Sequence, residues 1–269
     1  MIKIIHLLLL ALMMGCTSTS RFETISISGS DTMYELMEIL SAVYMKKNPE
    51  LSIYVSGGGT EFGFHSLEKG TADICMASRN LNSGELRIIA DKFKSVGVSH
   101  IIAKDAISIY VNQENPIQNL KQDIIYQIYK CGFDSWNQLG GDNAKIVALR
   151  RMSTSGTYHY FQDHILNGED FCEKIESVNT HEEMIDYVEN DKYAIGFGGV
   201  GNHGNAKLLK IEDYEPTPDN IKNDKYPLTR YLKLITISEP KGRVRDFINW
   251  ILGPEGQKII RNFGYVSLY

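Results

Sequence analysis

Cysteine is scarce in this chain, with four in 269 residues at positions 16, 75, 131 and 172. No two form a C-x-x-C pair or stand near histidines at ligand spacing, so the sequence predicts no zinc and no other metal. A basic excess is missing too: 28 Lys and Arg stand against 33 Asp and Glu, for a net charge of −5. That balance argues against a nucleic-acid partner, which calls for a basic face. Enzyme signatures fail one by one. There is no H-E-x-x-H, so His65, His159, His164 and His203 read as surface or satisfied positions, and there is no G-x-S-x-G elbow. Gly58 and Gly63 have Walker spacing, but Phe64 and His65 follow instead of Lys-Ser/Thr. Gly196–Gly201 fits G-x-G-x-x-G after a strand, yet Asn202-His-Gly-Asn205 follows where a dinucleotide site needs a helix. The expectation is a protein with no cofactor and no reaction of its own.

One long apolar run is present, and it lies at the start. Met1–Gly15 carries one lysine, then unbroken apolar sequence from Ile4 to Met14, then Gly15-Cys16. This is a signal-peptide layout, too short to span a bilayer as a mature helix. The cysteine behind it resembles a bacterial lipobox, with Met13 and Met14 where Leu and a small residue are usual. Residues 1–15 therefore read as a signal peptide, Cys16 as the lipidation site, and 16–21 as a tether. The protein is expected to be exported and lipid-anchored to a bacterial membrane, facing the periplasm or outside. Beyond Cys16 no apolar run approaches the ~20 residues of a transmembrane helix. Cys75 reads as core, and a bridge between Cys131 and Cys172 is one of the options the sequence leaves open.

The remainder alternates strand and helix. Met33, Leu36, Met37, Leu40 and Tyr44 give Thr32–Lys47 the spacing of a one-sided helix, ended by Lys46, Lys47 and Pro49. Helices are predicted again at Ser83–Phe93, Lys121–Lys130 and Val244–Leu252, and from a capping box at Thr180–Glu183 to Glu189. Strands fall at Leu51–Val55, Ala72–Ala77, within Ser99–Asn112, at Tyr193–Phe197 and at Tyr226–Leu234. This alternation predicts an α/β fold with a largely parallel sheet.

Three of the strand-to-helix junctions are rich in Ser, Thr and Gly: Gly29–Thr32, Ser56–Thr60 and Arg150–Thr157. Each presents backbone N–H groups and hydroxyls at the positive end of a helix dipole, where an anion is stabilised. Ligands of such sheets sit at the carboxyl ends of strands. Alone, Ser30 or Asp31 reads better as a helix cap and Arg150 as a solvated side chain, and Gly57–Gly59 can be read as a tight turn. Three junctions together point to a small oxyanion.

Here the sequence resembles a known family. The run from Ser28 to Leu81, with "IYKCGFDSWNQLGG", "ALRRMSTSGTYHYF", "YAIGFGGVG" and the ending "GPEGQKIIRNFGYVSL", is similar to phosphate-binding proteins of the ABC-type phosphate uptake system. The resemblance implies a two-lobed type II periplasmic-binding-protein fold with mixed, mostly parallel sheets and a hinged cleft. Lobe I would comprise 22–110 with 229–269, and lobe II 111–228. It also implies a ligand set: hydroxyls of Ser30 and Thr32, backbone N–H of Thr32 and Met33, Thr60, the guanidinium of Arg151, and Ser155, Gly156 and Thr157. Arg79 stands where the best-known members carry an Asp that accepts the phosphate proton, so it faces either the ligand or a carboxylate. Asp31 and Glu61 are then the candidate acceptors. The partners implied are inorganic phosphate and ABC permease subunits. The alternatives are another tetrahedral oxyanion such as sulfate or molybdate, or a non-transport anion sensor or surface interaction protein.

Overall fold

A computed structural model describes residues 23–269; the apolar leader, Cys16 and the whole tether lie outside the described residues. The chain begins with three strand–helix units. They are β1 (Glu23–Gly29) with α1 (Asp31–Lys47), β2 (Leu51–Ser56) with α2 (Thr60–Lys69), and β3 (Ile74–Ala77) with α3 (Ser83–Phe93). The strands run parallel in the order β2-β1-β3, with Ile25 opposite Ile53 and Ile27 opposite Ile74. Helix α1 forms as its spacing predicts: Met33, Leu36, Met37, Leu40 and Tyr44 are all buried, and Lys46 and Lys47 sit at its negative end. Helix α3 starts at a complete capping box, Asn82 receiving the Glu85 amide while Glu85 receives that of Asn82.

Strand β4 (Val98–Val111) joins the two halves of the molecule. As far as Ala106 it pairs antiparallel with β11 (Thr229–Thr236), and from Ile107 onward with β8 (Ala194–Gly199). The second half adds β5 (Asn119–Leu120), α4 (Gln122–Tyr129), β6 (Val147–Arg151), α5 (Gly156–His164), β7 (Glu176–Val178) and α6 (His181–Asn190). After β8 come β9 (Lys207–Leu208), β10 (Lys210–Ile211) and α7 (Pro218–Lys222). Strand β11 then returns the chain to the first half, where α8 (Gly242–Leu252) and α9 (Pro254–Phe263) close it. The main sheet runs β2-β1-β3-β11-β4-β8-β6-β7, with β9 beside β4. Its flanks are parallel, as the alternation predicts. Its centre is antiparallel, because β4 leaves the first half and β11 comes back to it.

Each half buries its own core. In the first, Ile27, Leu36, Leu40 and Ile74 meet Phe247 and Ile251. In the second, Ile109, Ile128, Trp136 and Tyr226 surround Phe161 and Phe197, whose rings stack 3.9 Å apart. Each such side chain stabilises the fold by about 1.5–3 kcal/mol. Cys131, just past α4, is bonded to Cys172 in the loop after α5, with a Cα separation of 5.9 Å. Cys75 is buried and has no disulfide partner among the described residues. The expected capping box of α6 forms only in part. Thr180 receives the Glu183 amide at 3.0 Å, but the Glu183 carboxylate reaches past it to the Asn179 amide at 2.6 Å.

Candidate anion-binding site

Strands β1, β2, β3 and β6 all end at the seam between the halves, so their carboxyl-end loops face one another there. Gly29 carries β1 into α1 at φ 142°, and a side chain there would strike the Met76 carbonyl. This close approach turns Ser30 and Thr32 into the seam. Ser30 occupies the N-cap position of α1 but makes no side-chain capping bond, so its buried hydroxyl is not consumed by the helix. Gly58 and Gly59 hold φ values of 109° and 92° and bring Thr60 to the same place. From the opposite half, β6 delivers Arg151, and the start of α5 delivers Ser155, Gly156 and Thr157.

The hydroxyls cluster at the seam, and one pair meets across it. Thr32 Oγ1 lies 3.1 Å from Thr157 Oγ1, and Thr60 Oγ1 lies 3.5 Å from Ser78 Oγ. Ser30, Thr32, Thr60, Ser78, Ser155 and Thr157 are all buried. Gly156 leaves room for this cluster: a Cβ on it would come within 2.4 Å of Thr60 Oγ1 and 2.6 Å of Ser78 Oγ. Ser155 also caps α5 by accepting the Thr157 amide at 3.2 Å.

Two guanidinium groups frame the cluster. Arg151 is 2% exposed and donates through Nη2 to Asp31 Oδ2 at 2.5 Å and to the Asn179 carbonyl at 3.0 Å. Its Nε is buried with no partner among the described residues. An orphaned donor on a buried cation marks a place where an acceptor is missing. Burial pushes the Arg151 pKa down, and Asp31 works against that shift. The second guanidinium is Arg230 of β11. It grips Asp105 of β4 through Nε at 2.9 Å and Nη2 at 2.8 Å, and donates to Thr157 Oγ1 at 2.9 Å and Thr32 Oγ1 at 3.4 Å. Burial raises the Asp105 pKa while the Arg230 charge opposes the rise. Each cation thus has one carboxylate behind it; Arg230 also has the Thr32 and Thr157 hydroxyls in front, and Arg151 a free Nε donor, an arrangement that accepts an anion through local donors.

The structure departs from the sequence-based expectations at Glu61 and Met33 and decides the open choice at Arg79. Arg79 turns to Glu85, with bonds of 2.7 and 2.8 Å, because the α3 capping box fixes that carboxylate beside it. The choice left open between ligand and carboxylate thus falls to the carboxylate. Glu61 is on the outer side of α2, half-exposed and 3.9 Å from His65, one helical turn on. The Met33 amide bonds the Ser30 carbonyl at 3.0 Å, and its side chain is in the core. Asp31 faces the seam, and both its oxygens have donors, Gly58 N at 2.7 Å and Arg151. Sequence reasoning missed Arg230 and Asp105. The available signal was a charge in the apolar stretch Ile101–Val111 and an Arg inside the strand "TRYLKLIT".

Donors from two α/β halves converging on a buried seam define a binding protein for a small oxyanion. The chain belongs to the PBP superfamily, whose domain profile matches residues 16–255. The phosphate-binding protein PstS of Pseudomonas aeruginosa is 28% identical over 263 residues, covering 89% of this chain and 81% of that protein. A Clostridium perfringens structure described as a phosphate ABC transporter substrate-binding protein with bound phosphate superposes with a TM-score of 0.85 at 26% identity. That match covers 92% of this chain and all of the other. An ABC-type phosphate transport receptor from Vibrio cholerae superposes with a TM-score of 0.73 at 31% identity, covering 90% and 99% of the two chains.

Proposed function

We propose that this protein binds inorganic phosphate between its lobes and delivers it to the permease of an ABC uptake system. The observation that carries the reading is the Thr32–Thr157 contact across the seam, flanked by Arg151 and Arg230. A tetrahedral oxyanion takes its donors from Ser30, Thr32, Thr60, Ser155, Gly156 and Thr157 and replaces the missing partner of Arg151 Nε. Asp31, which faces the seam, is the acceptor for the proton that phosphate keeps near neutral pH. Sulfate offers no such proton and meets a lone pair instead.

Lobe I, expected at 22–110 with 229–269, and lobe II, expected at 111–228, move about the two strand passages; the bend falls where β4 changes partners at Ala106–Ile107, so Ile107–Tyr110 go with lobe II. Cys16, lipidated after cleavage behind Gly15, keeps the protein at the membrane, and Cys16→Ala is expected to release it from the membrane fraction. Titration with phosphate, sulfate and molybdate tests the central reading. Phosphate should bind at least about tenfold more tightly than either, a difference of about 1.4 kcal/mol. Asp31→Asn should narrow that margin, and a wild type that takes sulfate as well as phosphate would refute the assignment.

A further inference from the structure

Two cavities flank the hydroxyl cluster, one on each side of the seam. The first holds about 570 Å³ and sets Arg79, Arg230 and Lys233 of one lobe against His159, Asp163 and His164 of the other. The second holds about 420 Å³ and sets Asp31 and Glu35 against His181, Glu182 and Asn202. Each touches the cluster through one of its own members, Arg230 for the first and Thr32 for the second.

Their charges differ once buried counterions are included. In the first cavity Glu85 neutralises Arg79 and Asp105 neutralises Arg230, while Lys233 donates to the neutral amide oxygen of Asn80. That leaves the Lys233 ammonium to face Asp163, with two imidazoles alongside. In the second cavity Arg151 neutralises Asp31, Glu35 accepts from the neutral Asn202 amide, and Glu182 adds another carboxylate. His181 supplies no compensating charge, since burial lowers its pKa to about 4. One mouth is near neutral with Lys233 as its unpaired cation among the described residues, and the other is anionic.

We propose that phosphate reaches and leaves the buried site through the first cavity, steered by Lys233, and is repelled from the second by Glu35 and Glu182. This rests on the phosphate reading above. On the lobe II side α5 walls this cavity: Tyr160 donates to the Thr229 carbonyl at 2.6 Å, and His164 stacks on Tyr160 at 3.9 Å. A mouth with low-dielectric walls concentrates its own field, so a single charge there acts on the association rate of a dianion and salt screens the effect.

The test is rapid mixing of phosphate with the whole protein carrying one dye on each lobe, under pseudo-first-order conditions. Lys233→Glu should slow association by about three- to tenfold at low ionic strength, the loss fading toward unity near 0.5 M salt. Lys233→Gln should give a smaller loss in the same direction, which keeps the test usable if the glutamate variant folds poorly. The double variant Glu35→Gln, Glu182→Gln should stay within about twofold of wild type. An unchanged association rate in both Lys233 variants, or a faster rate in the double variant that exceeds the Lys233 effect, would overturn the route. Wild type that fails to bind phosphate at equilibrium would instead overturn the reading beneath it.

Discussion

Arg151 and Arg230 do different work although both are buried guanidiniums at one site. Arg151 reaches across the lobes to Asp31, whereas Arg230 and Asp105 lie on neighbouring strands, β11 and β4. Arg230→Ala strands a fully buried carboxylate and should destabilise the fold by about 3–5 kcal/mol, read in denaturant titrations. Pairing it with Asp105→Asn should recover much of that stability while leaving phosphate binding impaired, because Thr32 and Thr157 lose their charged donor. Recovery of binding along with stability would reduce Arg230 to a structural role. Arg151→Ala should cost at least about 2 kcal/mol of binding, more than tenfold in Kd. Arg150 is half-buried, lies 5.8 Å from the Tyr158 ring and bonds only the neighbouring carbonyl. Arg150→Ala should therefore change binding little, and equal effects of the two arginines would place the ligand elsewhere.

At the scale of single elements, the loop from Cys131 to Cys172 contains β6, α5 and most of the donors lobe II brings to the seam. Closing a separation of 41 residues restricts the unfolded chain, worth about 4 kcal/mol in the loop-entropy account. Reducing the bond, or Cys131→Ser with Cys172→Ser, should lower stability by about that amount. Helix α6 carries a pH response in His181 at its first position. Burial depresses this imidazole to about 4 against 6.5 in the unfolded chain, while Nε2 is held by the Asn202 carbonyl at 2.6 Å. Between those values the unfolded state binds the extra proton, so stability is full above pH ~6.5 and falls as the pH drops toward 4. The share of His181 between pH 7.5 and 4.5 is roughly 2–3 kcal/mol. His181→Asn should remove that slope from the wild-type profile, and identical slopes would show that the side chain does not titrate as placed.

Elements and site were legible in the sequence to different depths, for physical reasons. The helix of Thr32–Lys47 and the hydroxyl loops are local patterns: periodicity, caps and glycines act over a few residues, and the structure places them as read. Arg230 and Asp105 are 125 residues apart, and nothing local distinguishes a strand arginine that finds a buried partner from one that points to water. Arg79 stays open between ligand and carboxylate until Glu85, six positions on, is fixed beside it by its own cap. The antiparallel centre of the sheet was hidden for a related reason, since alternation of strand and helix does not reveal that β4 serves both halves.

The whole molecule is drawn together by contacts that cross the seam, and this makes closure itself measurable. Asp31–Arg151 and Thr32–Thr157 join one lobe to the other across the seam. A ligand lodged among them binds the closed form and scarcely touches an open one, which is the differential affinity a population shift requires. Scattering should therefore show a smaller radius of gyration on adding phosphate. Gly156 offers a way to separate closure from folding. A methyl group there meets Thr60 and Ser78 of the opposite lobe at 2.4 and 2.6 Å, and Gly156 itself lies outside the left-handed region, so the backbone of α5 tolerates alanine. Gly156→Ala should thus leave the unliganded protein about as stable as wild type, weaken phosphate binding by tenfold or more (about 1.4 kcal/mol), and abolish the compaction. If the variant binds and compacts like wild type, the lobes do not close on the hydroxyl cluster and the anion is held within one of them.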